Sequence, residues 1–310
     1  MTEAEQTRAI LKKVRQIEIR SRKFVDDTLV GAYHSIFKGA GIDFAEVREY
    51  QAGDDVRSID WNVTARMDRA FLKTYQEERE LTLMLMVDLS ASGDFGSQNQ
   101  SKRELAAEVA CVLAFSATRN NDKVGLLLFT DEVELYIAPK KGRKHVLRVI
   151  REILFFEPKR KKTNIPNALR TLNRLQKRKA ICFLFSDFLT DESLSWIRPS
   201  SVDTKGELQQ MLRLTHQRHD LICIELTDPR EQILPDVGII TLEDAESGDL
   251  IEINTSNRRF RDLYAFQNKQ RMELFAKDLK RTGIDHLLLT TEGSYIKELR
   301  SFFSRRVQRR

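Results

Sequence analysis

The stretch LTLMLMVDLSASGDFG at residues 81–96 runs a mostly apolar segment into Asp88, Ser90 and Ser92. Past the end of a buried strand, residues at alternate positions of a turn can face one point, so these present one carboxylate and two hydroxyls together. An all-oxygen set of this kind suits a hard divalent cation, Mg²⁺ or Mn²⁺, which keeps part of its water and takes one or two carboxylates. Zinc is disfavoured, because neither His nor Cys accompanies the motif. Two further oxygen-bearing residues stand where the same edge should recur: Thr163 in KKTNIPNAL opens the loop before a helix, and Asp187 in CFLFSDF ends an apolar run as Asp88 does. Each has an ordinary alternative. The serines can serve as turn or cap residues, Thr163 as a cap before Pro166, and Asp187 as a turn residue.

For these residues to meet, the chain has to bring their loops to one edge of a sheet. From residue 81 onward, short apolar runs alternate with amphipathic stretches, the pattern of a doubly wound, mostly parallel α/β sheet with helices on both faces. Strands are expected at 82–88, 124–129, 133–138, 180–186, 220–226 and 285–290, and helices at 101–119, 143–156, 165–177, 206–218, 258–281 and 295–303. In VGLLLFTDEVELYIAP only Thr130, Asp131 and Glu132 separate two strand-like runs, too few for a crossover, which forces a hairpin and one antiparallel strand. Residues 232–255 repeat the pattern around Glu246–Asp249 and predict a second hairpin appended to the core. In an open α/β sheet, ligands bind beyond the carboxyl ends of the strands, where strand order reverses.

Residues 1–80 differ in character from residues 81–310. A basic amphipathic helix near 5–28 leads into a segment rich in arginine, acid and aromatic residues, expected to form strands and turns that pack on the core and share a small β layer with the later hairpin. Asp54, Asp55, Arg57, Asp60, Trp61 and Arg66 crowd within thirteen residues, with Arg48 and Glu49 just ahead. Trp and Arg are enriched at binding hot spots, so this is a candidate recognition surface. The favoured alternative is an ion-paired turn with Trp61 buried, Gly53 supplying backbone freedom, and Arg57 or Arg66 forking onto carboxylates.

Composition sets the outer limits. The 310 residues are 41% hydrophobic and 32% charged with a net charge of +6, as in a soluble globular chain. The excess is concentrated in KKGRKH (140–145), KRKK (159–162) and the terminal RRVQRR, which read first as solvated faces. No apolar run reaches the length of a membrane span and the N-terminus lacks a signal-peptide core, so a cytoplasmic protein is expected. Cys111, Cys182 and Cys223 lie far apart in apolar contexts and read as buried free thiols.

The segment REYQAGDDVRSIDWNVTAR, followed by KTYQEERELTLMLMVDLSAS, resembles the signature of the bacterial family catalogued as domain of unknown function 58, whose members carry a von Willebrand A-like core. The resemblance implies a metal-ion-dependent adhesion site at Asp88, Ser90, Ser92, Thr163 and Asp187, with the hydroxyls as direct ligands and the aspartates direct or through water. It also implies a binding module, often paired with AAA+ ATPases of the MoxR family, and a C-terminal helix, here YIKELRSFFS, able to move on ligand engagement. A partner carboxylate would complete the metal. This chain departs from the pattern at Gly93, where relatives commonly have methionine, and at KRKK, where glycines are usual.

Two other functions compete. A metal-dependent phosphohydrolase would use Asp88 as nucleophile with Asp187 on the metal. Against it, Ser90 stands where such motifs offer a second acid, and none of the five histidines lies in the motif loops. Nucleic-acid binding through the basic runs is disfavoured because they lack interleaved aromatics apart from Phe302 and Phe303. No Gly-x-x-x-x-Gly-Lys-Ser/Thr loop is present, so ATP binding of that kind is not expected in this chain.

Overall fold

The computed structural model describes residues 14–19, 43–51, 53–67, 69–76, 80–97, 100–189, 204–243 and 250–308. At its centre is a six-stranded sheet built from β3 (Thr82–Asp88), β4 (Lys123–Phe129), β5 (Val133–Lys140), β6 (Ile181–Ser186), β7 (Asp220–Thr227) and β10 (Asp285–Thr290). Its spatial order is β10-β7-β6-β3-β4-β5, and every neighbouring pair is parallel except β4 with β5. The short Thr130–Glu132 connection turns β5 back along β4, as its length requires. From β3 the chain moves outward through β4 and β5, then returns to place β6 on the other flank. Strand order therefore reverses between β3 and β6, and that crevice is where the topology can open a site.

Central strands are apolar along their whole length because both faces are covered. On β3, Leu83, Leu85 and Val87 face one core, and Met84 and Met86 face the other; all five are buried. The first core packs beneath α2 (Lys102–Arg119), α3 (Arg143–Phe155) and α8 (Tyr295–Gln308), and the second beneath α4 (Ile165–Leu175), α5 (Thr204–Arg218) and α7 (Arg258–Thr282). Helix α2 starts at a capping box between Ser101 and Glu104 and buries thirteen residues, so it lies inside the molecule rather than on its surface. Each fully buried aliphatic or aromatic side chain stabilises the frame by roughly 1.5–3 kcal/mol. That fixes the strand ends far more firmly than the loops beyond them. Cys111, Cys182 and Cys223 are buried and free, and burial pushes the thiols of Cys182 and Cys223 up.

Outside the main sheet, β1 (Asp43–Glu49) pairs antiparallel with β2 (Phe71–Gln76), and α1 (Trp61–Met67) lies between them in the chain. Residues 14–19 are helical, with Val14 and Ile17 buried in the first core. The appended hairpin forms between β8 (Ile239–Glu243) and β9 (Leu250–Asn254); its turn lies outside the described residues. One expectation is corrected. The N-terminal ribbon and this hairpin do not share a layer, since β1-β2 and β8-β9 are separate two-stranded sheets among the described residues.

A second correction concerns the ion-paired turn. Trp61 is 67% exposed, Arg57 and Arg66 are also exposed, and it is Arg48 that forks onto Asp54, at 2.9 and 2.7 Å. The physical reason is the start of α1: the Asp60 carboxylate accepts from the amides of Asn62 and Val63, so Trp61 falls at the first helical position on an element with no buried residue.

Candidate metal centre

Asp88 is the last residue of β3 and Asp187 the first beyond β6, so adjacent parallel strands deliver one carboxylate each to the reversal crevice. Ser186 Oγ donates to Asp88 Oδ2 at 2.7 Å, and the Ser90 amide donates to Asp88 Oδ1 at 2.9 Å, closing a turn. The chain then enters a short 3₁₀ turn at Ala91–Asp94, which sets Ser90 Oγ and Ser92 Oγ 3.0 Å apart. Adjacent ligands of an octahedral Mg²⁺, with metal–oxygen bonds of about 2.1 Å, stand about 3.0 Å apart. The two hydroxyls share a hydrogen bond, and its length is also that of one edge of such an octahedron. A side chain at Gly93 would meet only the Asp88 carbonyl, at an ordinary 3.7 Å, so this turn does not depend on glycine.

Asp187 is aimed by a bent backbone. Phe188 adopts φ 52°, a left-handed conformation rare for a bulky residue, and packs its ring on Phe275 with centroids 4.6 Å apart. Its amide donates to Ser186 Oγ at 3.0 Å, and the Leu189 amide donates to Asp187 Oδ1 at 3.1 Å. Asp187 Oδ2 accepts from Lys102 Nζ at 2.7 Å, and the Ser92 hydroxyl also bonds this carboxylate. The lysine side chain is 1% exposed and reaches Glu231 Oε1 as well, at 2.6 Å.

The charges respond to this crowding. Burial pushes the Asp88 carboxyl up to about 7, and the Asp187 charge beside it pushes the same way against the bonds from Ser186 and Ser90. Burial acts on Asp187 too, but the Lys102 ammonium outweighs it and holds this carboxyl below its ordinary range. Burial leaves Glu231 above its ordinary value despite Lys102. Among the described residues no cation lies within ion-pair reach of Asp88.

Thr163 belongs to the loop entering α4. Its neighbours pin that loop: the Ala91 amide donates to the Lys161 carbonyl at 3.0 Å, and the Asn164 amide donates to the Thr130 carbonyl at 3.0 Å. Asn164, not Thr163, caps α4 through the Asn167 amide at 2.9 Å, which removes the helix-cap reading of Thr163. Of the KRKK run, Arg160 is turned toward Asp131 and Glu132, at 2.9 Å each, while Lys161 and Lys162 stay exposed on the rim. The Asp54, Asp55, Arg57, Asp60, Trp61 and Arg66 segment belongs to the β1-β2 ribbon and α1.

Sequence reasoning missed four participants: Ser186, Lys102, Glu231 and Asp228. A lysine at the first position of a helix sits against the helix dipole, and that misplacement was a legible sign that something else holds Lys102. Asp228 is the first residue beyond β7, as Asp187 is the first beyond β6. It is fully buried and accepts from Ser97, from Thr291 Oγ1 at 2.6 Å and from the Arg230 amide at 2.9 Å. Among the described residues no group of three or more His, Cys, Asp and Glu could hold a metal. A cation here must be held largely by hydroxyls, and the residues present fit Mg²⁺ or Mn²⁺ on donor type and on the serine spacing.

The family described as Protein of unknown function DUF58 matches residues 46–273. The chain belongs to the DUF58 family. An uncharacterized protein of Mycobacterium tuberculosis, strain H37Rv, is 30% identical over 295 residues, covering 94% of this chain and 88% of that relative. Among solved structures, BatB from Bacteroides thetaiotaomicron is 15% identical with a TM-score of 0.42 and covers 74% of this chain and 99% of its own. The von Willebrand factor type A protein from Catenulispora acidiphila is 12% identical with a TM-score of 0.32, covering 64% and 44%. This DUF58 chain has the architecture that its resemblance to a von Willebrand A-like core implies: a mostly parallel sheet with one antiparallel strand, helices on both faces, and loops gathered at the reversal of strand order. No helix among its described residues is long and apolar enough to cross a membrane.

Proposed function

We propose that this DUF58 protein is a metal-dependent protein-interaction module. Mg²⁺ or Mn²⁺ would be held by Asp88, Ser90, Ser92 and Thr163, with Asp187 behind them. A cation there would supply positive charge and an open coordination position for a partner's carboxylate. The observation that carries this reading is the pair of serine hydroxyls 3.0 Å apart beside two carboxylates, Asp88 and Asp187, delivered by adjacent strands, with Asp88 pushed up to about 7 by burial and by the Asp187 charge. The von Willebrand A-like fold supports the interaction reading, and Lys161 and Lys162 on the rim suit an acidic partner surface. The family resemblance supports a MoxR-type AAA+ ATPase as that partner, with this chain as its adaptor, and a cytoplasmic setting agrees with that role.

The hydrolytic alternative gains no support from the histidines. His145 bonds the Val124 carbonyl at 2.8 Å and His286 bonds Glu225 at 2.9 Å, both away from Asp88. The basic runs are partly spent within the molecule, Lys141 on Glu80 and Arg143 on Glu18, which weakens the nucleic-acid reading.

Calorimetric titration of Mg²⁺ and Mn²⁺ into the wild type, Asp88→Ala and Thr163→Ala tests the reading, with folding checked by circular dichroism. Binding to the wild type that both folded variants lose places two distant loops on one cation. Variants that bind like the wild type overturn the assignment.

A further inference from the structure

Lys102 has no role in the helix it begins. Ser101 and Glu104 already cap α2, and a positive charge at the first position opposes the helix dipole. Burying an ammonium is costly unless it is closely paired, so its position reflects the two carboxylates it touches. One of them is the back wall of the proposed metal centre.

Resting on the metal reading above, we propose that Lys102 is a resident competitor for the divalent cation. Its ammonium holds Asp187, so metal loading must draw that carboxylate away from it, and loading stays weak until a partner's carboxylate adds its charge. Three observations carry this. The oxygens of Asp187 are taken by Lys102, the Leu189 amide and the Ser92 hydroxyl, whereas Asp88 faces no cation among the described residues. The cluster gathers three carboxyl groups, Asp88, Asp187 and Glu231, around the single ammonium of Lys102, which touches only the last two.

The third observation is that Lys102 has somewhere to go. The Glu231 backbone carbonyl is fixed by Tyr264 Oη at 3.0 Å and Asn268 Nδ2 at 2.9 Å, both on α7. Glu231 also follows Asp228 in a capping box on α6 (Pro229–Gln232). Glu231 is thus a stationary partner, and the ammonium can release Asp187 without becoming an unpaired buried charge. Glu231 lowers the barrier to loading, and Lys102 sets its threshold.

The experiment is a titration of Mn²⁺ alone into the wild type, Glu231→Gln and the double variant Lys102→Met with Glu231→Gln, each shown folded by urea denaturation. The double variant removes one charge of each sign, so the net charge of the cluster is unchanged and only the competition for Asp187 is lost. It is expected to bind Mn²⁺ roughly tenfold more tightly than the wild type, the scale of one charge-assisted hydrogen bond released. Glu231→Gln, which leaves the ammonium on Asp187 alone, is expected to bind roughly tenfold more weakly on the same scale. A purely structural lysine would give no gain in the double variant. Wild-type binding with an unchanged or weakened double variant overturns the competitor and leaves the metal reading standing. No Mn²⁺ binding in any of the three overturns both.

Discussion

The two ends of the central sheet treat the same residue type in opposite ways. At the amino ends of β7 and β10, Asp220 and Asp285 both meet the buried guanidinium of Arg306, which reaches back from α8. At the carboxyl ends of β3 and β6, Asp88 and Asp187 stand side by side, and the one buried ammonium nearby pairs with Asp187 and Glu231 only. Asp228, at the end of β7, shows the first treatment on the second edge: it is saturated by Ser97, Thr291 and the Arg230 amide. A carboxylate that serves the frame has its charge or its lone pairs matched within the chain. At Asp88 the bonds from Ser186 and Ser90 do not offset burial and the neighbouring Asp187 charge, so this is the carboxylate left short of positive charge.

The sharpest way to break this contrast is at the saturated end. Arg306→Ala strands two carboxylates that are about one-fifth exposed, 18% for Asp220 and 22% for Asp285. A loss of about 3 kcal/mol in urea denaturation is expected, with Mn²⁺ affinity unchanged. A loss below about 1 kcal/mol, the surface-pair range, would mean this end is no better compensated than the other.

Asp228→Asn should cost about 2 kcal/mol, because its amide nitrogen would face donors that now have an acceptor. Burial pushes this carboxyl up, but the bonds from Ser97, Thr291 and Arg230 outweigh it and hold the group below the ordinary range. Its contribution is therefore present above the unfolded carboxyl value of about 3.9 and is lost as pH falls below it. Acid titration of stability should show the wild type losing this increment and the variant lacking it; parallel curves would contradict the saturated reading.

Asp88 should behave with the opposite sign. Its folded carboxyl lies at about 7, above the unfolded value of about 3.9, so protonation favours the fold. The contribution is full below about pH 4 and is lost as pH rises through 7. Metal-free wild type is expected to lose stability between about pH 4 and 7, whereas Asp88→Asn stays level and matches or exceeds it at pH 8. Added Mn²⁺ should restore the wild type at pH 8 and leave the variant unmoved. Denaturation midpoints across that range check both halves, and a variant less stable than wild type at pH 8 would put Asp88 in the structural class.

Much of this edge was legible because it rests on short-range patterns. Apolar runs ending in Asp88 and Asp187 located the strand ends, and the three-residue link at Thr130 dictated the antiparallel β5. What escaped depends on side chains that meet only after folding. Lys102 and Asp187 are 85 positions apart, and Ser97 and Asp228 are 131 apart, so no local periodicity could pair them. The cap alternative for Thr163 could not be dismissed from sequence, because Thr and Asn both accept amide bonds and only the backbone places Asn164 at the start of the helix. Trp61 was misplaced for a related reason. Composition marks it as apolar, but Asp60 starts the helix one residue earlier and turns the indole to solvent.

That exposed tryptophan supplies a third class against which to sharpen the contrast. The segment around it has neither the buried compensation of Arg306 nor the buried shortage at Asp88. Its one forked pair, Arg48 with Asp54, lies at the surface, where solvent screens it. If Trp61 held the ribbon together, Trp61→Ala would cost about 3–5 kcal/mol, as burial of a large aromatic requires. At 67% exposure the expected change is below about 0.5 kcal/mol, read as an unmoved urea midpoint and slope. A drop above about 1 kcal/mol would restore the structural reading of the segment. An unmoved midpoint leaves an exposed Trp flanked by exposed Arg57 and Arg66, the residue types on which interfaces concentrate their energy. The ribbon would then present a recognition face in its own right, distinct in kind from the metal edge because it needs no cation to bind.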